Sequence, residues 1–257
     1  MEDSDEIKFK KLKNFNLIMG ILHLIQGALM LILSNDFTLP VTRSFLEFDP
    51  ATQTLNPATV TLFDLRIGPL VAAFLFMSAI AHLMIATVLY EKYVAGLKKG
   101  MNKYRWYEYS ISASLMIWII AMLTGIYDIG TLLLIFFLNM MMILFGLRME
   151  VHNQYTEKTD WRPFIYGCIA GIIPWIVIFI WLFGAGGEEG GPPDFVYYIF
   201  VTIAILFNSF AINMVLQYKK FRKWKDYLYG ERMYVILSLV AKSALAWQVF
   251  AGTLRPA

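Results

Sequence analysis

The sequence predicts an all-α membrane protein: a seven-transmembrane helix bundle with a cytoplasmic N-terminus and a β-hairpin in a long first outer loop. Three observations predict it. Apolar residues make up 58% of the 257 positions and charged residues only 16%, the reverse of what a soluble domain needs to solvate its surface. The charges cluster, leaving uncharged tracts at 14–35, 67–90, 109–127, 129–147, 163–187 and 195–218, and a seventh at 233–254 interrupted by Lys242 alone. Each is close to the ~20 residues a helix needs to cross ~30 Å of hydrocarbon. Lysine and arginine are also unequally shared between alternate connections, eighteen against three, and positive residues are retained in the cytoplasm during insertion.

Taken in order, the N-terminus carries Lys8, Lys10, Lys11 and Lys13 and leads into a first span at about 14–35. It has no small-residue cleavage pattern, so no removed signal peptide is expected. The first outer loop, roughly 35–66, holds three β-prone pieces, Phe37–Leu39, Phe45–Phe48 and Thr59–Phe63, separated by Pro40, Asp49-Pro50 and Asn56-Pro57; this reads as a β-hairpin. Spans at 67–90, 106–127, 129–149 and 162–184 follow. Gly184–Pro193 is a flexible breaker that neither neighbouring helix can continue through. The last spans, 195–218 and 232–254, enclose a basic loop with Lys219, Lys220, Arg222, Lys223, Lys225 and Arg232. The outer side keeps only Arg43, Arg66 and Arg255, which puts the C-terminus outside the cell membrane. Seven spans consume most of the chain, so a single domain over 1–257 is expected.

The composition excludes several functions. A net charge of +3, spread over short loops, offers no continuous basic face for nucleic acid. The single Cys168 cannot form an intrachain disulfide. There is no phosphate-binding glycine loop and no grouped nucleophile, base and orienting acid, so the chain is not expected to be an enzyme.

The polar residues inside the spans are more informative. An ammonium in mid-membrane costs on the order of 3 kcal/mol on insertion scales and needs a partner, a cavity or a chemical use. Lys242 lies ten positions beyond Arg232, about 15 Å along the helix. Glu108, on the third span, is the only carboxylate that the sequence puts well inside one, and it is the expected partner. Ser112 follows Glu108 by one turn and Ser238 precedes Lys242 by one turn, giving each helix a short polar stripe. His23 and His82 fall at similar depth in the cytoplasmic half, and with Gln26 form a candidate proton-accepting cluster; without a third ligand motif they are not a metal site. Trp118, Trp175, Phe207 and Trp247 lie deep and, with Met141, are available to line an apolar slot or simply to pack helices. Gly167 and Gly171 form a small-xxx-small step for close helix approach.

Seven spans with a lysine embedded in the seventh and a carboxylate in the third resemble the microbial-type rhodopsins. The reversed orientation, the long first outer loop, Ser238 where pump-type members carry an aspartate, and the segments Ser238-Leu239-Val240-Ala241-Lys242-Ser243 and Trp106-Tyr107-Glu108-Tyr109-Ser110 resemble heliorhodopsin in particular. The resemblance implies all-trans retinal bound covalently to Lys242 as a protonated Schiff base, with Glu108 as counterion. The implied retinal-binding set is Lys242, Glu108, Ser238, Ser112, Tyr109, Met141, Phe207 and Trp247. It also implies a homodimeric light sensor that does not pump ions, with membrane lipid and a cytoplasmic signalling protein as partners. Eleven positions beyond Glu108, where a pump carries a second carboxylate, stands Ile119. Two other readings stay open from the residues alone: a light-driven or light-gated proton translocator, and a retinal-free transporter or scaffold in which Lys242 and Glu108 pair structurally.

Overall fold

The structure, a computed structural model, describes residues 2–184 and 190–256. Eight α-helices and one two-stranded sheet account for most of it: α1 (Glu2–Leu33), β1 (Thr38–Asp49), β2 (Thr54–Arg66), α2 (Ile67–Ala86), α3 (Tyr90–Lys98), α4 (Lys103–Leu123), α5 (Ile129–His152), α6 (Arg162–Gly184), α7 (Asp194–Tyr218) and α8 (Tyr227–Val249). Seven of these, all but α3, are long and apolar enough to cross a membrane. Of the glycine-rich breaker, residues 185–189 lie outside the described residues.

Consecutive long helices pack side by side. Around the bundle α1 neighbours α2, α2 neighbours α4, α4 neighbours α5, α5 neighbours α6, and α8 closes the ring between α7 and α1. The centre is apolar and fully buried, built from Val71 and Phe74 of α2, Met116 and Ile120 of α4, Ile135 of α5, Ile178 of α6, Ile203 of α7 and Leu245 of α8. The outside is apolar as well: Ile165, Ile169, Ile172, Ile176 and Ile180 of α6 are all exposed. A soluble protein rarely shows so continuous an apolar face, whereas lipid leaves nothing to gain by hiding it.

Close approach between α4, α5 and α6 depends on small residues. A Cβ on Gly146 would run into the Trp106 ring, and one on Gly171 into the Met142 side chain. Pro174 sits in the middle of α6, where it removes one backbone donor. Caps define several helix starts: Asn102 accepts from the Arg105 N–H at 3.2 Å to open α4, and Asp226 accepts from the Leu228 N–H at 3.0 Å to open α8.

The hairpin runs antiparallel from Thr38 opposite Arg66 to Asp49 opposite Thr54, with a bulge between Val41 and Thr42. Pro40 and Pro57, which the sequence reading uses as separators, lie within the strands. In a two-stranded sheet both strands are edges, so a proline nitrogen can face away from the ladder without losing a bond. The turn is at Asp49-Pro50, where the Asp49 carboxylate accepts from the Ala51 N–H at 2.9 Å and from the Thr52 hydroxyl at 2.8 Å. The base of the hairpin is tied to the bundle. The Thr42 N–H donates to the Tyr127 carbonyl at 2.8 Å, and the Asn35 N–H and side-chain amide donate to the carbonyls of Leu254 and Thr253, both at 2.9 Å.

Beside this junction, Asp128 caps α5 by accepting from the backbone N–H of Thr131 at 2.9 Å and its hydroxyl at 3.1 Å; those bonds hold its carboxyl below the usual carboxylate range. Asp128→Ala is expected to remove about 1 kcal/mol of stability, read as a lower thermal midpoint in detergent at neutral pH. A carboxyl depressed in the folded state contributes fully above its unfolded pKa and loses that contribution as pH falls through the folded value. The gap between Asp128→Ala and the parent should therefore close in acid; a gap independent of pH would remove the cap as its source.

Candidate functional site

Two helices that are not neighbours in sequence meet at one buried ion pair. Lys242 of α8 donates from Nζ to Glu108 Oε1 of α4 at 2.8 Å; the two side chains are 3% and 9% exposed. Helical side chains lean toward the N-terminal end of their own helix, which brings Nζ back over Ser238, whose Oγ accepts from it at 3.2 Å. The third ammonium hydrogen goes to Ser78 Oγ of α2, which in turn donates to Glu108 Oε1 at 2.7 Å. An ammonium has three donors and no acceptor, and here all three are used. The Tyr109 ring stands 5.0 Å from Nζ, and Ser112 lies buried one turn beyond Glu108. Lys242, Glu108, Ser238, Ser112 and Tyr109 thus come together as expected from the sequence. Ser78 was not foreseen; it sits one turn before His82, so the same stripe logic applied to the second span reaches it.

A cavity of about 130 Å³ opens beside this pair between α4, α5, α6, α7 and α8. Its walls are apolar and aromatic, with Trp106, Met116, Met142, Phe164, Phe207 and Phe210 among them, and Lys242 is the only charged residue in the lining. Phe207 takes its expected place, backed by Trp175 with ring centres 5.6 Å apart. Met141 and Trp247 do not line the cavity. Met141 faces outward and is 45% exposed, because the inward face of α5 follows Asn139, Ile143 and Gly146, which brings Met142 inside instead. Trp247 turns toward α1, where its Nε1–H donates to Gln26 Oε1 at 3.0 Å. A dry slot with one amine in its wall is suited to a long apolar molecule ending in a group that an amine can attack.

The heliorhodopsin family model matches residues 12–254 of the 257. The chain belongs to the heliorhodopsin family. No curated protein matches it. The family is one of retinal-binding, light-sensing membrane rhodopsins, and the lining of this heliorhodopsin's cavity fits that group: apolar along its length, with a single amine to attach it.

On the far side of Ser78 the two histidines stack, His23 of α1 on His82 of α2, with ring centres 5.7 Å apart and planes 7° from parallel. His82 Nδ1 shares a 2.7 Å hydrogen bond with Asn16 Oδ1, and Asn16 is itself held by the Leu12 carbonyl at 2.9 Å. Neither ring nitrogen of His23 has a hydrogen-bond partner among the described residues. Gln26 is not part of this pair. Three residues along α1 turn it about 60° from His23, toward α8 and Trp247. Asn16, which replaces it, comes two helical turns before His23 and carries no sequence signal beyond being polar in a span.

A second buried charge cluster lies nearer the end of the bundle where α1 begins. Arg105 of α4 pairs with both Glu150 of α5 and Glu231 of α8, all three essentially buried. Glu150 Oε2 also accepts from the Trp106 indole N–H at 2.8 Å and the Asn102 N–H at 2.9 Å, and Asn102 Nδ2 donates to Glu231 Oε2 at 2.8 Å. The guanidinium lies 3.8 Å from the Tyr234 ring centre and 4.6 Å from that of Trp106. Glu108 is the carboxylate well inside a span, but it is not the only buried one: Glu150 and Glu231, near the ends of α5 and α8, are buried behind aromatic residues of α4 and α8.

Removing the single cation would leave two buried acids without a counter-charge, so Arg105→Gln is expected to destabilise the protein by about 3–5 kcal/mol. Glu231→Gln, which leaves one full ion pair, should be clearly milder. Thermal midpoints in lipid nanodiscs compare them; equal losses would mean that the two acids do not share one cation.

Proposed function

We propose that this heliorhodopsin is a light sensor in which all-trans retinal is attached to Lys242, with Glu108 as its counter-charge, and that it signals through a change of shape without pumping ions. The observation that carries the reading is the buried contact between Lys242 Nζ and Glu108 Oε1 at the edge of an apolar cavity. Retinal, when bound as an imine, supplies the absorption of visible light and a double bond that isomerises. The protein's residues do the rest. Lys242 provides the attaching nitrogen, Glu108 balances a positive charge held there, Ser78 orients Glu108 by donating to its Oε1 at 2.7 Å, and Ser238 lies beside the nitrogen one turn back. Trp106, Phe207 and Phe210 exclude water, which strengthens the ion pair by lowering the local dielectric.

The non-pumping reading is supported by the part of α4 three turns beyond Glu108. Ile119, where a relay would need a second acid, is fully buried in the apolar core. Beyond Ser78 on α2 stand the stacked rings of His23 and His82 rather than a second acid. The N-terminus is proposed to face the cytoplasm, on the lysine and arginine asymmetry. A homodimer with a cytoplasmic signalling partner completes the proposal, both taken from the family resemblance.

Full-length protein supplied with all-trans retinal should form a visible absorption band. Lys242→Ala should abolish it, and Glu108→Gln should shift it to longer wavelength or make it fade at lower pH than in the parent, since a lost counter-charge weakens the hold on the imine proton. Pigment formed normally by Lys242→Ala would refute the assignment. A sustained light-driven pH change in sealed vesicles would refute the non-pumping part alone.

A further inference from the structure

A second cavity, of about 400 Å³, opens at the end of the bundle where α1 begins, between the α5–α6 connection, the end of α7 and the start of α8. Its character is opposite to that of the apolar slot. Lys99, Lys220 and Lys225 stand in its wall and Glu157 is its one acid. None of these four has an ion-pair partner among the described residues, so the wall carries a formal charge of +2.

The wall is held in place by the backbone. Lys220 and Arg222 both adopt left-handed conformations, at φ +50° and +47°, although neither is glycine; such residues persist only where the surroundings fix them, and they concentrate at functional sites. Here the Phe221 N–H bonds the Leu216 carbonyl at 3.0 Å, and the Trp224 indole donates to Asn213 at 2.6 Å. The short 3₁₀ helix Arg222–Lys225 is thereby clamped against α7. On the floor, buried Gln217 uses one amide hydrogen on the Tyr227 carbonyl and has another to give, and Thr159 adds a hydroxyl.

We propose that this cavity binds a phosphate-bearing dianion. A phosphate monoester carries roughly −1.5 to −2 at neutral pH with three acceptor oxygens; that matches the +2 wall and the amide and hydroxyl donors beneath it. A monocarboxylate or a halide would leave about half the charge unbalanced. The occupant is either a soluble phosphate ester or the phosphate headgroup of a membrane lipid. Its floor residue Tyr227 reaches Glu150 Oε1 with its hydroxyl at 3.4 Å, so a bound anion would sit one side chain away from the Arg105 cluster.

The test is titration of inorganic phosphate into the full-length chain in detergent, followed by calorimetry and by the fluorescence of Trp224, with chloride added to hold ionic strength constant. Saturable binding is expected. The triple substitution Lys99→Gln, Lys220→Gln, Lys225→Gln should weaken it by about tenfold or more, and Glu157→Gln should tighten it by about two- to threefold, as expected for partly screened charges. All four positions are exposed; thermal midpoints check that each variant is folded, and Lys220→Gln alone stands in if the triple variant is not. No saturable phosphate binding, or binding indifferent to the lysines, overturns the proposal. Repeating the titration in nanodiscs of zwitterionic lipid with and without phosphatidic acid names the source. Competition by phosphatidic acid assigns the site to a lipid headgroup, and phosphate binding unchanged by it assigns a soluble ester. Neither readout involves a pigment, so the outcome is independent of whether Lys242 carries retinal.

Discussion

The rest of the structure is arranged around one ammonium held out of water. Lys242 Nζ sits where hydrocarbon-like packing surrounds it, and it remains there because Glu108, Ser78 and Ser238 take all three of its hydrogens. Those acceptors come from α4, α2 and α8, so the contact dictates which helices must be neighbours and at what height. An unpaired charge in such a place is far costlier than a paired one. Any packing of the seven spans that separated α2, α4 and α8 would therefore be penalised, whatever its apolar contacts. The apolar core fills the space between helices, and the ion pair adds a requirement that apolar contacts alone do not impose.

The two buried charge clusters differ in a way that bears on their use. Lys242 and Glu108 balance one for one. Arg105 faces two acids, so its cluster carries an excess negative charge even with every hydrogen bond made, offset in part by the Trp106 indole, the Asn102 amide and the Tyr227 hydroxyl. A balanced pair in a dry slot is a fixed arrangement until one member changes its charge.

How much of this was legible beforehand follows from what a linear pattern encodes. Uncharged length gives spans, and position within a span gives depth, which is why the sequence alone reaches Lys242, Glu108, Ser238 and both histidines. Azimuth is encoded far less firmly. In a helix apolar on every side, nothing marks Met142 rather than Met141 as the inner residue, or turns Gln26 toward Trp247 instead of His23. The Arg105 cluster was hidden for another reason: charges at span ends read as interfacial, and only the aromatic cover from Trp106, Tyr227 and Tyr234 makes them buried. The short helix α3 was likewise absent from the sequence reading, since Tyr90–Lys98 reads as a basic loop until Tyr93 and Leu97 are seen packed beneath α1.

Trp106, Tyr109 and Tyr234 make the two clusters parts of a single wall. Tyr109 lies against the Lys242 ammonium with its ring and donates from its hydroxyl to the Tyr234 carbonyl at 2.9 Å, while the Tyr234 ring carries the Arg105 guanidinium. Trp106 lines the apolar cavity with its ring and holds Glu150 with its nitrogen, and the glycine at 146 leaves no room between that ring and α5. Interiors packed this closely do not absorb a displaced side chain; they pass it on. A change in the shape of the cavity contents would therefore press on Trp106 and Tyr109, which line it, and through them on the carboxylates that Arg105 holds. The amine's surroundings and the charged cluster toward the α1 end are thus joined through one aromatic wall.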